Sequence, residues 1–379
     1  MQVSIDNLSL RYGDTTVFSG LSLDIADGES LVLLGPSGCG KTSTMRCVAG
    51  LEEPSAGSIT IGDRTVFSAA GGINVSPHRR NVGMVFQSYA VWPHKTVFEN
   101  VAFSLRRQRV GAGPLRERVG RVLDLVGLPE MADRGASLLS GGQMQRVALA
   151  RSLVMQPSVL LLDEPLSNLD ARLRERLRLE LRELQLQLGL TTVYVTHDQV
   201  EAFALADRIA LMQDGKIRQL GSPEEIYARP ATTSLARFLG VGNILACTVE
   251  GRAARVADSG LTVELASSPG TPSGATSVCV RPEDLTVVPR ADGAHGPNSW
   301  SGHIVVSSFQ GASIRYRVAL DAGPTVDAVA TRRAGPALRA GDPVTVICPA
   351  EAAQILLDDA PAHGGTVAAA AGLGAGVAA

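Results

Sequence analysis

The residues best placed to do chemistry form one short run, Gly35-Pro36-Ser37-Gly38-Cys39-Gly40-Lys41-Thr42. Its spacing is G-x-x-x-x-G-K-[ST], with an apolar run (residues 30–35) before it and a helix expected over residues 41–49. Glycines at those positions let successive backbone N–H groups turn inward onto one anion, and the start of the following helix adds partial positive charge. Lys41 is expected to reach the β- and γ-phosphates of a nucleotide, and the Thr42 hydroxyl to ligate Mg²⁺. A second pair, Asp163 and Glu164, ends the apolar run of residues 159–164. Adjacent carboxylates at the C-terminal end of a buried strand lie where open α/β sheets bind ligands. Asp163 is expected to hold Mg²⁺, and Glu164 to orient and polarise an attacking water.

Leu139-Ser140-Gly141-Gly142-Gln143 narrows the class. Ser140 and Gln143 have the spacing of a helix capping box, and a glycine-flanked helix start can also hold phosphate. On this run the chain resembles the ATP-binding-cassette family. That resemblance implies that Ser140, Gly141, Gly142 and Gln143 grip ATP bound to an opposite subunit, so that a homodimer sandwiches two nucleotides. The family's other motifs occur in order. Tyr12 in LRYGD matches its adenine-stacking aromatic, and Gln87 in MVFQSYA matches the glutamine that senses Mg²⁺ and γ-phosphate. Ser167-Asn168-Leu169-Asp170 matches the loop that crosses the dimer interface. His197 in YVTHD matches the histidine that contacts γ-phosphate. The resemblance thus implies Glu164, His197 and Lys41 as catalytic residues. It implies Thr42, Gln87 and Asp163 toward Mg²⁺. The nucleotide is expected to meet the loop from Gly35 to Ser43 together with Tyr12, Gln87, Asp163, Asp170 and the signature residues.

The elements that must position these groups show in the patterning. Residues 30–35, 159–164 and 191–197 are short apolar runs, the mark of buried strands. Residues 171–189 carry leucines at 173, 177, 181, 184 and 188 with charge between them, an amphipathic helix. Strands alternating with helices predict a mostly parallel sheet covered on both sides. Residues 88–153 look mainly helical, an inserted lobe. After residue 240 the texture turns to short alternating runs at 277–280, 303–306, 313–320 and 343–348, a small all-β domain. The expected organisation is therefore an α/β, P-loop NTPase cassette over residues 1–237 with its helical subdomain at 88–153. A β-rich domain over 240–356 follows, and then a low-complexity, disordered tail over 357–379. The β-rich region, with Val280-Arg281-Pro282-Glu283-Asp284-Leu285, looks like the OB-like (TOBE) appendix of importers fed by a binding protein. It could serve regulation or merely stabilise a dimer.

Composition limits the partners. A formal net charge of −2 and 4% aromatic residues give no footing for nucleic acid. Five cysteines without a CxxC pair argue against a disulfide framework and for a reducing compartment. No run approaches the ~20 apolar residues of a membrane-spanning helix, and the N-terminal residues show no secretory pattern. The resemblance then implies a peripheral subunit on the cytoplasmic face of the inner membrane. It would act beneath an integral membrane permease and, indirectly, with an extracytoplasmic solute-binding protein. Residues 88–103 and 238–245 look more like iron(III), polyamine and phosphonate importers than sugar importers, with ferric iron first. The other readings are an exporter subunit and a soluble cassette ATPase without a transport role. One phosphate loop and no sustained heptads speak against the soluble ATPase, and the β-rich domain speaks against the exporter.

Overall fold

The computed structural model describes residues 1–269, 276–290, 296–331 and 338–357. The chain divides into two compact units, Met1–Arg229 and Pro230–Ala379. The division falls earlier than the 237/240 boundary expected from composition. The short helix Thr233–Phe238 belongs with the second unit, where Ala236 packs with Val241, Cys279 and Leu356. The expected disordered tail lies outside the described residues except for Leu357, which ends a strand.

The first unit runs β1 (Val3–Tyr12), β2 (Thr15–Ile25), β3 (Ser30–Leu34), α1 (Lys41–Ala49), β4 (Ala56–Ile61), β5 (Arg64–Ser68), β6 (Ile73–Asn74) and β7 (Val82–Val85). It continues with α2 (Val97–Arg107), α3 (Ala112–Leu125), α4 (Gly141–Leu153), β8 (Val159–Asp163), α5 (Ala171–Leu188), β9 (Thr191–Thr196), α6 (Gln199–Leu205), β10 (Arg208–Gln213), β11 (Lys216–Gly221) and α7 (Pro223–Ala228). The six-stranded sheet has the order β11-β10-β3-β9-β8-β7, parallel except at β11. Its strands β3, β8 and β9 are buried on both faces. Odd-numbered Leu31, Leu33, Val159, Leu161, Val193 and Val195 share one core with Met45, Cys47 and Val48 of α1. Leu160, Leu162 and Tyr194 face the other way, toward Leu149, Leu153, Leu181 and Leu205 on α4, α5 and α6.

Helices alone do not cover both faces, as the sequence had suggested. On the α1 side the cover includes a second, antiparallel sheet of order β2-β1-β4-β5-β6, which contributes Val3, Ile5, Leu8, Leu10, Phe18 and Ile59 to the core. The inserted lobe is α2, α3 and the start of α4. Val97, Val101 and Leu105 on α2, and Leu115, Val119 and Leu123 on α3, recur every four residues and form the buried stripes.

The second unit opens with α8 (Thr233–Phe238) and continues with β12 (Asn243–Glu250), β13 (Ala253–Val256), β14 (Thr262–Glu264), β15 (Thr276–Val280), β16 (Thr286–Pro289), β17 (Ser299–Phe309), β18 (Ser313–Leu320), β19 (Thr325–Thr331), β20 (Pro343–Ile347) and β21 (Gln354–Leu357). They form two antiparallel sheets, β14-β13-β12-β15-β21 and β16-β20-β17-β18-β19, around Val278, Val280, Ile304, Val318, Val344 and Val346.

Candidate functional site

In the parallel sheet β3, β9, β8 and β7 are consecutive neighbours, so the chain leaves all four at the same edge. The glycine loop follows β3, His197 follows β9, Glu164 follows β8 and Gln87 follows β7. Groups scattered over 160 positions of sequence thereby line one edge, the C-terminal edge where such sheets bind ligands.

The loop between β3 and α1 depends on its glycines. Gly38 and Gly40 hold φ of 80° and 98°, a left-handed backbone that favours glycine. A methyl group on Gly35 would stand 2.1 Å from the carbonyl oxygen of Met212. Gly40 caps α1 with no side-chain acceptor over the first N–H groups, leaving the donors of an anion site. The Lys41 ammonium is buried and donates to the carbonyls of Gly35 (2.7 Å) and Pro36 (2.8 Å), which keeps it over the loop. Cys39 lies beneath, its Sγ 3.8 Å from Lys41 Nζ, and burial pushes this thiol's pKa up.

Thr42 and Asp163 meet. The Thr42 hydroxyl donates to Asp163 Oδ1 at 3.0 Å, and the carboxylate is buried. Burial pushes the Asp163 pKa up, against the opposing pull of the Thr42 hydroxyl and of Arg46 and Lys41. A hydroxyl beside a buried, incompletely neutralised carboxylate is an all-oxygen donor pair suited to a hard divalent cation, so the residues present fit Mg²⁺.

Glu164 turns out of β8 with φ of 42°, a sparsely populated conformation for a residue with a side chain. Its amide donates to the Val195 carbonyl at 3.0 Å, and the Ser167 hydroxyl donates to the Glu164 carbonyl at 2.9 Å. Both carboxylate oxygens are engaged: Gln87 Nε2 donates to Oε2 at 3.0 Å, and His197 Nδ1 lies 3.2 Å from Oε1. Asn168 Nδ2 in turn donates to the Gln87 carbonyl at 2.8 Å. The sequence pointed to Gln87, Glu164 and His197 separately, and the fold brings them into one cluster.

The signature stands apart from this cluster. Ser140 and Gln143 form the reciprocal capping box at the start of α4, with bonds of 3.4 Å and 3.0 Å. Gly141 and Gly142 pack against the leucine side chains of Leu169 and Leu173. No hydrogen bond among the described residues joins residues 139–143 to the glycine loop. Asp170 caps α5, accepting from the Leu173 amide at 2.9 Å. Tyr12 is half-exposed at the end of β1, and its phenol pKa is raised, chiefly by the neighbouring Glu52 carboxylate.

One group behind the cluster was not singled out from sequence. Arg174 on α5 donates to the Leu169 carbonyl (3.1 Å) and, at 3.4 Å, to that of Ser167. The same guanidinium approaches Asp198 (3.5 Å) and buried Glu201 (3.9 Å). Tyr194 and Thr196 donate their hydroxyls to Glu201 at 3.0 Å and 2.8 Å. The loop after Glu164 is thereby tied to the loop carrying His197. The only signal in the sequence is an arginine one turn after the capping Asp170.

Comparison with known proteins places this geometry in context. A family profile described as ABC transporter matches residues 18–167, and one described as TOBE domain matches residues 278–356. The Fe(3+) ions import ATP-binding protein FbpC 1 of Rhizobium meliloti is 47% identical over 84% of this chain and 87% of its own length. The spermidine/putrescine import ATP-binding protein PotA of Rubrobacter xylanophilus is 44% identical over 93% of each. The trehalose/maltose import ATP-binding protein MalK of Thermococcus litoralis is 55% identical over 60% of this chain and 62% of its own. Among solved structures, CbiO1 of Clostridium perfringens, part of the ABC transporter complex CbiONQ, superposes with a TM-score of 0.55 at 29% identity. It covers 60% of this chain and 90% of that one.

Proposed function

Since this chain belongs to the ATP-binding subunits of ABC importers, we propose that its ATPase site is split between two copies, each lending its signature to the other's glycine loop. The chain hydrolyses ATP to drive uptake through membrane permease subunits. The observation that carries the site assignment is the double hold on Glu164, with Gln87 on one carboxylate oxygen and His197 on the other.

The loop N–H groups and Lys41 bind the β- and γ-phosphates, with Lys41 exchanging its two carbonyl acceptors for phosphate oxygens. Thr42 and Asp163, with Gln87, would hold Mg²⁺. When bound, that ion neutralises the charge spread over the phosphate oxygens. Glu164 orients the water, with its own direction fixed by its two partners, and His197 faces the γ-phosphate. Tyr12 offers a stacking face to adenine. Ser140 and Gly142 of a second copy close the pocket with charge-assisted contacts, and Asp170 lies on the loop between the copies. Binding of ATP closes the pair and phosphate release reopens it. The helical lobe carries that motion to the permease.

The relatives are import subunits that work at a membrane, and no helix among the described residues is long and apolar enough to cross one. This chain fits a peripheral position on the cytoplasmic face, with a solute-binding protein on the other side. We read ferric iron as the solute, a reading supported by the iron-import relative and by residues 88–103. Uptake of ferric iron, putrescine and maltose should be compared in cells with and without this chain. Loss of iron uptake alone supports the assignment, and loss of either other solute instead overturns it. Purified protein should release phosphate from ATP, and Lys41→Ala should abolish that release.

A further inference from the structure

The segment that follows Gln87 is strained. Tyr89 and Ala90 are consecutive non-glycine residues with φ of 61° and 49°. Such a pair persists only where its surroundings hold it. The buried Tyr89 hydroxyl finds no hydrogen-bond partner among the described residues, so the holding force lies in the backbone.

That force comes from the helix whose first turn is the signature. Arg151, in the last turn of α4, donates one guanidinium nitrogen to the Tyr89 carbonyl at 3.0 Å and the other to the Ala90 carbonyl. Its guanidinium carbon lies 5.1 Å from the ring centre of Trp92. The Trp92 ring lies 4.6 Å from that of Phe103 on α2. The Trp92 backbone is fixed at both its N–H and its carbonyl by buried Asn100, at 2.9 Å and 3.1 Å. Next to Arg151, the Ser152 hydroxyl donates to the Met84 carbonyl at 2.9 Å, so α4 grips the chain on both sides of Gln87.

We propose that Arg151 is a positioning residue that couples the two halves of the site. Its planar fork clamps the strained turn after Gln87 to the C-terminal end of α4, whose N-terminal end is Ser140–Gly142. A change at Gln87 when nucleotide engages Glu164 is thus passed along one rigid helix to the surface offered to the second copy. A lysine cannot replace it, because one ammonium does not span two carbonyls while stacking on the indole. The proposal rests on the reading that the signature completes a partner's site.

The test uses full-length protein carrying Arg151→Gln or Arg151→Lys. Both should lower kcat about tenfold with KM for ATP and binding of a fluorescent ATP analogue unchanged, since no glycine-loop group is touched. Ala90→Gly removes the left-handed penalty that the clamp opposes, so Arg151→Gln/Ala90→Gly should regain part of the lost kcat. A purely architectural arginine would lower melting temperature and nucleotide binding together and would not be rescued. Wild-type kcat in Arg151→Gln, loss of ATP binding in parallel with kcat, or no rescue by Ala90→Gly each overturns the proposal. Sizing chromatography of Glu164→Gln with ATP separates the two levels. Failure of that variant to dimerise sinks the split-site reading itself. If it dimerises, and adding Arg151→Gln leaves the ATP dependence of dimerisation unchanged, only the clamp is refuted.

Discussion

Replacing Glu164 by glutamine separates its chemistry from its structural role. The amide is nearly isosteric, and one orientation keeps both contacts: its oxygen accepts from Gln87 Nε2, and its NH₂ donates to His197 Nδ1 as an acceptor. The structural cost is at most about one hydrogen bond, ~0.5–1.5 kcal/mol, or a shift of roughly 1–6 °C in melting temperature for a domain of this size. The base function is lost outright. Positioned bases contribute about 10²–10⁴-fold, equivalent to roughly 2.7–5.5 kcal/mol of barrier. Steady-state phosphate release should therefore fall at least about a hundredfold while ATP binding persists, and an ATP-bound dimer should accumulate on sizing chromatography. A fall of less than about tenfold with normal folding would remove Glu164 from the base role, because no retained hydrogen bond could supply the missing decades.

Other expectations are as specific. In Gly35→Ala the new methyl meets the Met212 carbonyl oxygen at 2.1 Å, a backbone atom with little freedom to yield. The variant should lose about 1–3 kcal/mol of stability and bind ATP more weakly, as denaturant melts and nucleotide titration would show. Burial raises the Glu201 pKa above its ordinary value of 4.5, against the hydroxyls of Thr196 and Tyr194. A raised carboxyl contributes stability that is fully present below the unfolded pKa and lost as pH rises through the folded one. Melting temperature should therefore fall more steeply from acid to neutral pH in the wild type than in Glu201→Gln, and equal slopes would contradict the assignment. Arg174→Ala frees the loop after Glu164 from Asp198 and Glu201, and should lower kcat more than it raises KM for ATP.

Much of this was legible in the sequence because phosphate chemistry depends on consecutive residues. The glycine spacing, the strand before Gly35, the helix from Lys41 and the capping box of Ser140 and Gln143 are all local facts, and the fold reproduces them. The antiparallel sheet was hidden for a physical reason. In β1 the alternation Val3, Ile5 jumps to Leu8, Leu10 because a bulge with Asn7 at φ of 45° inserts a residue, which breaks the period of two. Contacts such as Gln87 to Glu164, or Arg151 to Tyr89, join positions more than 60 apart and carry no periodic trace. The early division at Arg229/Pro230 was equally hidden, since only packing shows which side owns the helix from Thr233.

Mixing two dead variants addresses the shared pocket most directly. Lys41→Ala spoils the cradle and leaves the signature intact, whereas Ser140→Arg does the reverse. Each alone should be inactive, and the mixture should regain ATPase activity, because hybrid pairs contain one pocket with both halves whole. If the mixture stays as inactive as its components while hybrids demonstrably form, or if Ser140→Arg alone turns over ATP at the wild-type rate, each chain completes its own site.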